Sequence, residues 1–117
     1  MINGKLSHFL DTGWYSESTL YYKGFVYWCE GYTDEPIGKS VFFVDRWKAE
    51  CPDNKFYQEY KDRAGKLIGY ERVYKDTDSD FDLLKKRFLQ TAIFNGKSFW
   101  EIEKNLAWVD EGEPIHI

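Results

Sequence analysis

Reactive side chains are scarce in this chain: 117 residues include two histidines, two cysteines and one methionine. His8 and His116 sit in no recognisable motif, so no Ser–His or Cys–His arrangement for nucleophilic catalysis can be assembled. Cys29 and Cys51 form no CxxC pair and have no histidine beside them, which removes the usual zinc spacing. Cys29 reads as a small buried residue in mid-strand, and Cys51 as part of a Cys-Pro-Asp-Asn turn. A glycine-rich phosphate loop is missing, and Glu101 and Glu103 fall on different faces of a helix rather than forming an acid/base pair. No catalytic residue, metal or cofactor is therefore expected.

Long apolar runs are missing as well. Nothing approaches the length of a membrane span, and the opening MINGKLSHFL lacks the shape of a signal peptide. The expected setting is cytoplasmic, with reduced thiols. Positive charge is in short supply: 16 basic residues face 20 acidic ones, for a net charge of −4. Phosphate backbones select a basic stripe, so nucleic acid is not the expected partner.

What the chain has in excess is aromatic rings, 20% of its residues, with nine Tyr, nine Phe and five Trp. Large rings let one small domain, spanning residues 1–117, bury much area with few side chains. The rings concentrate in residues 18–32, STLYYKGFVYWCEGY. This stretch reads as an antiparallel hairpin bent at Lys23 and Gly24, with β-branched and aromatic flanks. Two loop residues put Leu20, Tyr22, Phe25, Tyr27 and Cys29 on one face. Thr19, Tyr21, Val26, Trp28 and Glu30 fall on the other.

Around the hairpin, residues 3–10 suit a short helix capped by Asn3, with Ile2, Leu6, Phe9 and Leu10 on one face. Lys39–Lys48 reads as a third strand, with residues 55–61 and 66–75 as a fourth and fifth. At Asp76 the pattern switches. Residues 80–94 form a helix whose stripe is Phe81, Leu84, Phe88 and Ala92, widened by Leu89 and Ile93 and stopped by Asn95 and Gly96. Ser98 and Glu101 make a capping box that opens a second helix, burying Phe99, Ile102, Leu106 and Val109. The fold class is α+β. An antiparallel meander of four to five strands follows a short helix, and a C-terminal helical hairpin packs on one sheet face.

Two motifs invite chemistry and fail. Asp76, Asp78, Asp80 and Asp82 alternate like the start of a calcium loop. Phe81 stands where that loop needs glycine, and Arg87 where it needs the bidentate glutamate. Carboxylates ahead of a helix also stabilise its N-terminus, with Asp80 or Ser79 as cap. Residues 95–106 follow the order of the turn and helix that open a helix-turn-helix, yet no recognition helix follows.

Three classes of function remain. The favoured one is a small acidic domain that binds another protein through an aromatic surface, in the manner of inhibitor or immunity proteins. Its binding residues are Tyr21, Trp28, Glu30 and Tyr32 on the second face of the hairpin. The alternative is a domain that binds a small molecule or peptide, and an enzyme ranks last.

Overall fold

The computed structural model describes residues 1–2, 4–48 and 71–109. The Asn3 cap, the Cys51 turn, the strand expected over 55–61, the first half of that expected over 66–75, and the acidic tail lie outside the described residues. The chain runs through α1 (Leu6–Asp11), a 3-10 turn (Gly13–Tyr15), β1 (Ser18–Tyr22), β2 (Phe25–Asp34) and β3 (Lys39–Lys48). It continues with β4 (Glu71–Asp78), α2 (Phe81–Gln90), α3 (Phe99–Ile102), a second 3-10 turn (Glu103–Asn105) and β5 (Ala107–Val109). The five strands form one antiparallel sheet in the order β4-β3-β2-β1-β5.

The hairpin forms where the ring pattern places it. Tyr22 pairs with Phe25 across Lys23 and Gly24, whose φ values of 45° and 85° make a left-handed two-residue turn that matches the strand twist. Leu20, Tyr22, Tyr27 and Cys29 then point into one core with Phe42 and Val44 of β3. Helix α2 closes this core with Leu84, Phe88 and Leu89, while α1 adds Phe9 and α3 adds Phe99 and Ile102. Phe88 sits among rings, 4.7 Å from Phe42 and 6.4 Å from both Phe94 and Phe99.

The C-terminal helical hairpin does not form. Helix α3 is a single turn, and the chain then straightens into β5, which pairs with residues 19–21 of β1. Ala107, Trp108 and Val109 extend the sheet there instead of continuing a helical stripe. The Ser98–Glu101 capping box does hold: Glu101 reaches back, its Oε1 accepting from the Ser98 N–H at 3.1 Å. Helix α2 also ends early, at Gln90. The Thr91 hydroxyl donates to the Arg87 carbonyl at 2.6 Å, and the backbone turns extended. Continuing the helix would carry Phe94 well away from the Phe88 face. Leaving it buries both Ile93 and Phe94, the latter 4.8 Å from Tyr27. Asn95 and Gly96 are therefore no helix terminator. With φ of 53° and 79° they turn the chain so that Phe94 and Lys97 exchange backbone bonds of 2.9 and 3.1 Å. Ile2 is not helical either, and bridges Ala107 in the parallel sense.

Candidate functional site

Every described helix packs on the core face of the sheet, and the residues expected to bind lie on the opposite face. It carries Thr19 and Tyr21 of β1, Val26, Trp28, Glu30 and Tyr32 of β2, and Val41, Phe43, Asp45 and Trp47 of β3. That face is not uniformly bare. Thr19, Val26, Val41, Asp45 and Trp47 are buried, and Tyr21, Trp28, Glu30 and Phe43 are half-buried. Tyr32 alone among the four expected binding residues stands out into solvent, 45% exposed. Tyr21 lies across from Val26 and Ala107, diagonal to Trp28 and further along the sheet from Glu30 and Tyr32. The sheet thus brings Trp28, Glu30 and Tyr32 into one row along β2 and leaves Tyr21 beside its buried neighbours.

The row is framed by aromatic contacts. Tyr32 meets Phe43 edge to face at 6.4 Å, and Trp28 meets Trp47 likewise at 6.3 Å. The Arg72 guanidinium covers the Phe43 ring at 4.3 Å and donates to the buried Asp45 carboxylate at 3.0 Å. Behind the row, Tyr15 lies against Gly31, where a Cβ would overlap its ring, and its hydroxyl donates to the Tyr32 carbonyl at 2.8 Å. Phe81 stacks its edge on Tyr15 at 4.9 Å and stays exposed.

Three residues of this arrangement were not singled out by the sequence: Tyr15, Phe43 and Glu17. Glu17 was legible in principle, because extending the hairpin register one pair past Ser18–Cys29 sets it opposite Glu30. Its φ of +40° turns the chain off the sheet, a conformation that strains a residue with a Cβ. Burial holds the Glu30 carboxyl above its ordinary pKa, and the Glu17 carboxylate beside it adds repulsion and a hydrogen bond in the same direction. Two acids therefore meet at the point where β1 stops.

The other acidic cluster has a structural role. Asp80 caps α2, accepting from the N–H groups of Asp82 and Leu83 at 3.0 and 3.2 Å. Arg87, standing where a calcium loop places its glutamate, donates to Asp76 and Asp78 at 2.6 and 2.7 Å. Backbone and Arg87 hydrogen bonds hold the Asp78 carboxyl below its ordinary range. Among the described residues no group of three or more His, Cys, Asp and Glu is arranged to hold a metal ion. Cys29 is free and buried, and burial pushes its thiol far above the reactive range. His8 stacks on Trp108 at 5.6 Å. None of these groups forms a nucleophile with its base.

No protein-family model, curated protein or solved structure matches this chain.

Proposed function

We propose that this protein acts by non-covalent association with another protein, through the outer end of β2 centred on Tyr32 and Glu30. The observation that carries the reading is the Glu17–Glu30 pair. A carboxylate held above its ordinary pKa costs stability at neutral pH, and a positive φ at Glu17 adds strain. Such costs collect where a surface serves a contact rather than the fold. Glu30 of that pair sits in the β2 row that also holds the exposed Tyr32. Tyrosine offers rigid amphipathic area, and clustered carboxylates select a cationic group on the partner. Occupying a partner's surface in this way is how a small inhibitory domain works without chemistry of its own.

The test is affinity capture from cell extract with the wild-type chain, Tyr32→Ala and Glu30→Gln, each checked for an unchanged fold. The reading expects a protein retained by the wild type and lost from both variants. A set of retained proteins indifferent to both substitutions contradicts it.

A further inference from the structure

We propose that the contact is made by strand addition: an extended segment of the partner, with the pattern apolar–basic–apolar, pairs with the free edge of β2 at Gly31 and Thr33. This inference rests on the protein-binding reading above and specifies its chemistry. β2 has ten residues and β1 five, and β1 pairs with residues 25–29 only. Beyond Cys29 no described strand pairs with the β1 side of β2; β1 begins at Ser18, next to Glu17 with its φ of +40°.

The register says which groups face that vacancy. A two-residue turn closes with a hydrogen-bonded pair, here Tyr22 and Phe25, and the pairs alternate from there. Tyr27 and Cys29 therefore direct their backbone groups at β1. Gly31 and Thr33 direct theirs the same way, past its end. Thr33 is exposed and Gly31 half-buried. Natural edges are commonly blunted by lysine or proline, and neither occurs within residues 30–34.

Side chains select the occupant. A residue of the incoming strand placed opposite Tyr32 points to the outer face, with Glu30 and Asp34 as diagonal neighbours and Glu17 next in line. An arginine or lysine there meets an aromatic face and several carboxylates at once. The residues on either side, opposite Gly31 and Thr33, point inward to the rings of Tyr15 and Phe81, which suits apolar side chains. A second copy of this chain does not fit. Edge-to-edge pairing of two copies would set Glu30 and Asp34 against the same residues.

The test uses an isotope-labelled chain and a capped tetrapeptide, Thr-Val-Arg-Val, whose arginine falls opposite Tyr32 in the antiparallel sense. The expected result is slowed amide exchange centred on Gly31 and Thr33. Replacing the peptide arginine by glutamate, or N-methylating both valines, should weaken binding at least about tenfold. Thr33→Pro removes one edge donor without removing a bond inside the sheet. It should keep the melting temperature and lose the peptide. Peptide binding that tolerates both N-methylation and Thr33→Pro, or shifts centred elsewhere, overturns strand addition. If Tyr32→Ala still abolishes capture of a protein that Thr33→Pro retains, this inference fails while the broader reading stands. If neither substitution matters to capture, both fail.

Discussion

Residues 25–29 of β2 lie between β1 and β3, whereas residues 30–34 keep β3 alone among the described strands. In the first half Val26, Tyr27 and Cys29 are fully buried. In the second, Tyr32 and Thr33 are exposed, and Tyr15 lies over Gly31 on the inner face. The same strand, with the same backbone preference, thus serves as core in one half and as surface in the other. The difference comes from where β1 stops, and β1 stops at a strained Glu17.

The sharpest contrast is one substitution made twice. Tyr27→Ala should destabilise by about 3–5 kcal/mol, because a fully buried ring leaves a cavity. Tyr32→Ala should stay within about 0.5 kcal/mol, since its exposed ring can be trimmed without a cavity. Urea titration of both variants measures this, and comparable losses would erase the distinction between the halves.

Gly31→Ala probes the seam between the outer half and the core. A Cβ there overlaps Tyr15, so the ring must move and release the Tyr32 carbonyl. The expected cost is about 1–3 kcal/mol of overpacking. The cost should shrink in a Tyr15→Ala background, and the double-mutant cycle reads that coupling. An unchanged cost in both backgrounds would show that Tyr15 is not what closes the strand.

The smallest effect has the opposite sign. Glu30 is an acid whose pKa is raised by folding, through burial first and Glu17 second, so the folded chain binds more protons than the unfolded one. Its contribution is favourable in acid and is lost as pH rises from the ordinary carboxylate range through the raised value. Glu30→Gln should therefore raise the melting temperature slightly at neutral pH. The gain over wild type should vanish in acid. A variant less stable than wild type at neutral pH would show that Glu30 supports the fold.

The hairpin was legible because its rings, its turn and its alternation agree, and the register of β1 against β2 followed from counting. The Asp80 cap and the Ser98–Glu101 bond were legible from short-range chemistry. The C-terminal segment was not, because Leu106 to Val109 suits a helical stripe as well as a strand. The free flank of β1 decided the outcome, a tertiary effect with no local signal. Of the candidate site, the row Trp28, Glu30, Tyr32 followed from period-two spacing. Which of the three would be exposed depended on where β1 ends, and that depends on the backbone of Glu17.

Amide hydrogen exchange on the unliganded chain tests the central contrast most directly. Tyr27 and Cys29 face β1, and Gly31 and Thr33 face its absence. The account predicts that the Gly31 and Thr33 amides exchange at least about a hundredfold faster than those of Tyr27 and Cys29. Equal protection at all four positions would contradict it, because the outer half of β2 would then have no free edge to offer.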